Sequence, residues 1–368
     1  MNNFRQKKIL GVCNHPGGAN AILPVIGKLK EFGAHCRVLA SENSRGLFEK
    51  AGIATGVLAA RMTGVWARDI LAEFSPDLLL LGTSEPEDRS LGRVEGQMAA
   101  AAREAGVPAV AVLDHWSNYV DRFSLSENGA LDALPDLICV MDERAKSEMV
   151  SAGIPSARIV VTGNPHWDRL KAVRAALSGL DKRVIRRRSG LKETDRLIIF
   201  VSQPLSEDGS YGAGISEFKV LDDLLELLRL DPALTLWLKP HPREKAQKFH
   251  SQLEFFEEKR VRILDDVGDV YMLGLAADLI VGMFSMLLFE YSLLGLPVVS
   301  YQPEEGGKYP HLNDSIKRLR GLEELRSALS GLTDRDHFSG ELPKATENVL
   351  TAISAILTHD KADNMVDL

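Results

Sequence analysis

LTLWLKPHPREK (residues 234–245) and DLIVGMFSMLLFEYSLLGLPVVSYQ (residues 278–302) decide the fold of this chain. Two short apolar runs, Leu234–Leu238 and Asp278–Gly282, each give way at once to polar residues. The first leads into Lys239-Pro240-His241-Pro242-Arg243. The second leads into Phe284-Ser285 and a helical pattern that carries Glu290 one turn in. A third apolar run, Pro297–Tyr301, follows a Gly-Leu-Pro turn. Strand tips and helix starts that converge in this way form the ligand crevice of an open α/β sheet. Cationic side chains beside free helix N–H groups suit a phosphate, so the stretch reads as a nucleotide-diphosphate site.

Composition sets the outer bounds. A chain of 368 residues is long enough for two domains. At 45% apolar and 26% charged it is an ordinary globular sequence. A net charge of −7 argues against a nucleic-acid partner, although a local basic pocket remains compatible with it. Cys13, Cys36 and Cys139 are odd in number and lack metal-like spacing, which fits reduced cytosolic thiols. No apolar run approaches the length of a membrane span, and Met1–Lys8 is polar with no signal-peptide core behind it. These features predict a cytoplasmic protein, with any membrane contact peripheral and at the inner face.

Outward from the opening stretch, strands alternate with helices in two series. The first predicts strands at Lys8–Cys13, His35–Ala40, Leu78–Leu81, Ala109–Leu113, Leu137–Val140 and Ile159–Val161. Helices are expected between them, including Ala21–Phe32 with Ile22, Val25, Ile26 and Leu29 at helical spacing, and Gly92–Ala105. The second series predicts strands Leu197–Ser202, Leu234–Leu238, Val261–Leu264, Asp278–Val281 and Pro297–Ser300. Its helices are Phe218–Leu230, one near Pro242–Lys259, Val270–Ala276 and Met286–Leu294. Alternation of this kind makes doubly wound parallel sheets. The expected domains are 1–167 and 193–343, joined by a linker at 168–192, with a last helix at Lys344–Leu357 and a disordered end at Thr358–Leu368. The run Lys182-Arg183-Val184-Ile185-Arg186-Arg187-Arg188 in the linker reads first as a solvated helix face, and second as a membrane-surface or acceptor patch.

Six stretches carry candidate chemistry. In Lys239-Pro240-His241-Pro242-Arg243 two prolines hold the chain extended, so that Lys239, His241 and Arg243 are fixed donors for a phosphate and His241 is placed to give a proton to a leaving oxygen. Ser285 caps the helix that begins at Met286, and Glu290, set among leucines and Phe289, needs a partner such as the two hydroxyls of a ribose. Gln203, at the tip of the first strand of the second series, is a further phosphate contact, and the stretch through Tyr211-Gly212-Ala213-Gly214 has mobile-loop composition. His15-Pro16-Gly17-Gly18 is a turn whose glycines allow close backbone approach to a substrate, without the GxGxxG pattern of NAD sites. Asp114-His115-Trp116-Ser117-Asn118-Tyr119 past an apolar strand resembles an active-site wall, with Asp114 or His115 as general base and Asn118 as a substrate contact. Asn164, in Gly163-Asn164-Pro165, is a hinge turn or a substrate contact. No metal-ligand cluster, GxSxG or P-loop stands out.

Taken together these motifs resemble the GT-B superfamily. HPGGANAILPVI, ARIVVTGNPHWDRL, LKPHPRE and FSMLLFEYSLLGLPVVSY combine features of bacterial capsule and teichoic-acid transferases of the CDP-glycerol glycerophosphotransferase type with those of non-hydrolysing UDP-N-acetylglucosamine 2-epimerases. The resemblance covers residues 8–305 and implies two Rossmann-like doubly wound domains facing across a cleft. It implies that His241 and Ser285 hold the donor phosphates and that Glu290 binds ribose. Epimerases carry an Asp after the Gly where this chain has Gly82-Thr83, and a His-Arg-Arg-Glu stretch where it has Gln203-Pro204-Leu205-Ser206. Glycerophosphotransferases show a His-Gly pair where this chain has Asp114-His115.

The resulting expectation is a glycosyltransferase or polyol-phosphate transferase. Its partners would be a nucleotide-sugar or nucleotide-polyol donor and a glycan acceptor at the bacterial surface, with no cofactor and no metal. An inverting single displacement is the simpler chemistry. The alternatives are a nucleotide-sugar epimerase or hydrolase, and a non-catalytic nucleotide-sugar-binding protein. The sequence leaves room for a homodimer.

Overall fold

The computed structural model describes residues 2–58, 63–84, 93–126, 129–207, 216–256, 260–264, 269–303, 316–330, 342 and 344–363. The chain divides into two compact units, Met1–Asp168 with Pro343–Leu368, and Arg169–Leu342. The loop expected at residues 211–214 lies outside the described residues.

The first unit is built on seven strands: β1 (Lys8–Cys13), β2 (His35–Ala40), β3 (Thr55–Val57), β4 (Leu78–Leu81), β5 (Ala109–Val112), β6 (Leu137–Val140) and β7 (Ile159–Val161). They pair in parallel in the order β3-β2-β1-β4-β5-β6-β7. Runs such as LLLL and AVAV are apolar on every residue because both faces of such a sheet are covered. The covering helices are α1 (Pro16–Glu31), α2 (Glu42–Lys50), α3 (Gly64–Phe74), α4 (Val94–Glu104), α5 (Tyr119–Arg122) and α6 (Glu143–Ser151). Helix α1 begins five residues before the expected Ala21, because Pro16 at its first turn fixes a helical φ where no N–H is needed. The two glycines therefore lie inside the helix and not in a loop ahead of it.

The second unit opens with α7 (Leu170–Ser178) and α8 (Lys182–Arg188), so residues 169–192 form helices grouped with this unit. The remaining elements follow as β8 (Arg196–Val201), α9 (Glu217–Leu230), β9 (Leu234–Lys239), α10 (His250–Leu253), β10 (Val261–Ile263), α11 (Val270–Ala276), β11 (Leu279–Gly282), α12 (Met286–Leu293), β12 (Val298–Tyr301), β13 (Lys317–Leu319) and α13 (Leu322–Ser330). The six strands run parallel in the order β10-β9-β8-β11-β12-β13, the same winding as in the first sheet. Within α8, Lys182 and Arg186 both bind Asp278, and Arg186 also donates to the Ala276 carbonyl at 2.8 Å. Arg183, Arg187 and Arg188 are exposed. Over its described residues, 242–256, the long helix expected near Pro242–Lys259 is instead a turn, a 3-10 segment at Ala246–Phe249 and the short α10. The turn closes because Glu244 folds back onto the main chain of His241.

The last helix, α14 (Ala345–Asp363), returns to the first unit and continues past the expected end at Leu357. Both Asp168 oxygens cap it, accepting from Ala345 and Thr346 N–H at 3.0 and 2.7 Å. Asn348 donates to the Thr162 carbonyl at 3.0 Å. Its Val349, Leu350, Ile353 and Leu357 pack in one core with Ile9, Ile22, Val25, Ile26 and Leu29. Each such buried aliphatic side chain contributes about 1.5–3 kcal/mol. Among the described residues, no helix is long and apolar enough to cross a membrane.

Candidate functional site

In an open α/β sheet the chain winds outward in both directions from one point, and the loops there diverge to leave a crevice. The first sheet has this point at β1 and β4, the second at β8 and β11. Most of the candidate residues follow the carboxyl ends of these strands and their neighbours, whereas Asn164 follows the edge strand β7.

In the second unit Gln203 follows β8. Its Oε1 accepts the Phe284 N–H at 2.9 Å, bridging from the tip of β8 to the turn after β11. Its amide N–H groups carry no bond within the described residues. Ser285 caps α12, its hydroxyl accepting the Leu287 N–H at 3.3 Å. Met286 is half-buried at the first helical position. The helix closes at Gly295 (φ 77°), with Gly295 N–H on Ser292 O and Leu296 N–H on Tyr291 O, both 3.0 Å. This double bond pattern needs a left-handed residue, and Pro297 then prevents the helix from continuing.

Beyond β9, Lys239 donates to the Pro240 carbonyl at 2.8 Å, and burial draws its pKa down while Glu244 opposes. His241 accepts the Arg243 N–H on Nδ1 at 3.1 Å, which puts its proton on Nε2. Burial, then the cations Arg243, Lys239 and Lys248, push the imidazole pKa down to about 4. His241 is therefore a neutral hydrogen-bond donor at neutral pH. In the role expected for it, the ring would take up its charge only once an anionic ligand lies beside it. Arg243 is exposed, and its guanidinium has no bond within the described residues.

The loop rests on a buried charge cluster. Glu244 accepts the His241 N–H on Oε2 at 2.7 Å and the Ser202 hydroxyl on Oε1 at 3.0 Å. Lys248 reaches Glu217, Glu244 and Glu207 at 2.6, 2.7 and 3.0 Å. Burial draws the Lys248 pKa down, but these carboxylates outweigh it and hold the ammonium above its ordinary value. Glu217 also takes the Ser206 N–H and hydroxyl. The sequence reading missed Glu217, Glu244 and Lys248. The one local signal is spacing, since Glu244 and Lys248 stand four residues apart.

Glu290 is buried, and its oxygens are engaged by Arg169 at 2.9 Å and Tyr271 Oη at 2.5 Å. Arg169 also lies over the Tyr271 ring, 5.2 Å from its centre. The partner a buried carboxylate requires is thus supplied by the protein. A ribose would have to use the remaining lone pairs or displace one of these groups.

In the first unit, Asp114 follows β5 and accepts on Oδ1 from Thr83 Oγ1 and Arg122 Nη1, both at 2.9 Å. The Arg122 side chain is almost wholly buried and also donates to the Ser117 carbonyl. Asp114 Oδ2 has no hydrogen bond among the described residues. It lies so close to Gly17 that a Cβ there would stand 2.0 Å from it. A Cβ on Gly18 would meet the Thr83 backbone nitrogen at 2.9 Å. The glycines therefore let α1 sit against the tips of β4 and β5, with Asp114 at its positive end.

His115 Nδ1 pairs with Ser117 Oγ at 2.9 Å, and its ring meets Trp116 edge-on. Trp116 is buried, stacks on Trp167 and donates to Asp142 at 2.9 Å, so it is scaffold. Asn118 is exposed in a left-handed conformation at the start of α5, where its carbonyl accepts the Arg122 N–H. Asn164 is buried, with its side chain accepting the His166 N–H at 3.0 Å. That bond fixes the turn into Pro165–Arg169. His15 is half-buried at the cap position of α1, its carbonyl taking the Ala19 N–H.

Glu95 was not found from sequence. It is buried at the start of α4 and accepts Asn14 N–H at 2.7 Å and Ser84 Oγ at 2.6 Å. Burial raises its pKa, against those two bonds and the charge of His15. The Asn14 side-chain oxygen is buried without a hydrogen-bond partner among the described residues. Among the described residues no group of three or more His, Cys, Asp or Glu is arranged to hold a metal.

Comparison with known proteins adds to this geometry. The sequence pattern of the CDP-glycerol:poly(glycerophosphate) glycerophosphotransferase family matches residues 140–311, which include the β9 loop and α12. A probable UDP-N-acetylglucosamine 2-epimerase of Ralstonia solanacearum is 28% identical over 192 residues, 50% of this chain. The match spans 48% of that relative, so the chain covers about half the length of the curated protein it resembles. Among solved structures, the UDP-GlcNAc 2-epimerase of Methanocaldococcus jannaschii superposes with a TM-score of 0.67 at 15% identity, covering 95% of this chain and 99% of the other. The Neisseria meningitidis UDP-GlcNAc 2-epimerase bound to UDP-GlcNAc gives 0.65 at 16%, covering 94% and 99%. With the two doubly wound parallel sheets, these likenesses give the chain a GT-B type fold. Both resemblances drawn from the motifs recur among its relatives.

Proposed function

We propose that this chain is a transferase that moves a sugar or a polyol phosphate from a nucleotide-activated donor to a hydroxyl of a surface glycan. The observation that carries the reading is the second sheet's crevice. Three donors, Lys239, His241 and Arg243, stand at the tip of β9, and Gln203 and the start of α12 stand at the tips of β8 and β11. Donors of this kind stabilise the charge that builds on a leaving phosphate oxygen. The family match over residues 140–311 supports the same assignment.

In the first unit Asp114 is the base of this reading. Its Oδ1 is anchored by Thr83 and Arg122, leaving Oδ2 to take the acceptor's proton. As the acceptor oxygen bonds to the transferred group, the bond to the donor's phosphate oxygen breaks and the nucleotide leaves with the electron pair. A thermal-shift panel of CDP, CMP, UDP, GDP and TDP tests the donor half, because a bound nucleotide raises the melting temperature by mass action. No shift with any of the five would sink the reading. Asp114→Asn should keep that shift and lose turnover about 100-fold or more.

The epimerase likenesses favour a second reading, in which the chain acts on a nucleotide sugar without an acceptor. Thr83 stands where the epimerases carry an acid, and its hydroxyl is spent on Asp114. Incubation with UDP-N-acetylglucosamine alone separates the two readings, since epimerisation or hydrolysis needs no second substrate.

A further inference from the structure

We infer that Glu244 is a positioning residue for nucleotide diphosphate, setting the spacing between the two halves of the phosphate site. The inference rests on the reading of the second unit as the nucleotide unit. Glu244 is not itself aimed at a ligand. Its side chain is fully buried, and both oxygens point into the protein. Oε2 holds the N–H of His241, the residue between the two prolines. Oε1 holds the hydroxyl of Ser202, directly after β8. The next residue, Gln203, holds the Phe284 N–H just ahead of α12. The β9 loop and the start of α12 are thereby attached to consecutive residues of one strand tip. Those two elements would contact successive phosphates.

A carboxylate close to a phosphate site is unfavourable unless its charge is met. Lys248 meets it at 2.7 Å, and is itself shared with Glu217 and Glu207. This leaves Lys239 and Arg243, which make no ion pair within the described residues, as the cations available to a ligand. A mainly stabilising role would leave the loop's donors where they are once the protein is folded. A positioning role makes nucleotide affinity depend on Glu244 independently of folding.

The test uses the full chain, with dissociation constants for CDP, UDP, GDP and TDP measured calorimetrically and melting temperatures recorded alongside. For the tightest of the four, Glu244→Ala should weaken binding about tenfold or more at a temperature where it is folded. Glu244→Gln should fall between, because one acceptor oxygen then serves two donors. A lowered melting temperature with unchanged affinity in Glu244→Ala would overturn the inference. If that variant does not fold, Glu244→Gln decides, with equal affinity to the parent counting against. Failure of the parent chain to bind any of the four would remove the nucleotide reading itself.

Discussion

Gln203 and Phe284 are 81 positions apart, yet the side chain of one accepts the main-chain N–H of the other at 2.9 Å. The bond spans the point where the second sheet reverses its winding, and it settles which end of the Gln203 amide is left for a ligand. Its oxygen is spent on Phe284, so its N–H groups are the ones an anion bound there would meet.

Gln203→Glu should therefore separate folding from binding. The carboxylate keeps the acceptor bond to Phe284 and replaces a donor with a negative charge. We expect a melting temperature near that of the parent and nucleotide affinity reduced about tenfold or more, read by titration calorimetry.

His241 makes stability depend on pH. Its folded pKa, about 4, lies below the ordinary histidine value, so between roughly pH 6.5 and 4 the unfolded chain binds the proton and the native one does not. The contribution is complete above that window and is lost as pH falls through it. Urea midpoints at pH 7 and 4.5 should differ less in His241→Gln than in the parent. Equal differences would show that the imidazole is not held neutral.

Gly17 and Asp114 should be energetically coupled. Gly17→Ala places a methyl 2.0 Å from Asp114 Oδ2, forcing the carboxylate from Thr83 and Arg122, at a cost of about 1–3 kcal/mol. Asp114→Ala removes the carboxylate paired with the buried Arg122 guanidinium and costs about 3–5 kcal/mol. In that background Gly17→Ala should cost close to nothing. A double-mutant cycle from urea unfolding that proved additive would refute the contact.

Ile353→Ala in α14 should destabilise by about 2–5 kcal/mol, since Ile353 lies in the core of the first unit. Removal of residues 344–368 should uncover that core, with dye binding or aggregation as the readout. A truncated chain that melts like the parent would contradict the packing.

Much of the fold was legible because parallel strands buried on both faces are continuous apolar runs, as in LLLL at β4. The edge strands β3 and β13 were not, since TGV and KRL carry little apolar signal in three residues. Lys239, His241 and Arg243 could be picked out because their loop is local and framed by prolines. Glu95, Arg122 and Glu244 could not, because what matters about each is a partner elsewhere in the chain. Asn14 lies 81 positions before Glu95, Thr83 lies 39 before Arg122 and Ser202 lies 42 before Glu244. The dense Asp114–Tyr119 cluster resembled a wall of catalytic groups, but Trp116 proves to be packing and Tyr119 binds Glu148.

The return of α14 to the first unit bears on how the protein is made. Synthesis runs from the N-terminus, so the helix that seals the first core leaves the ribosome only after the whole second unit has been made. Ile22, Val25, Ile26 and Leu29 wait for their cover while the whole second unit is translated, on the order of ten seconds or more. During that interval the nascent first unit offers an apolar face to chaperones, and a chain that stops early never closes it.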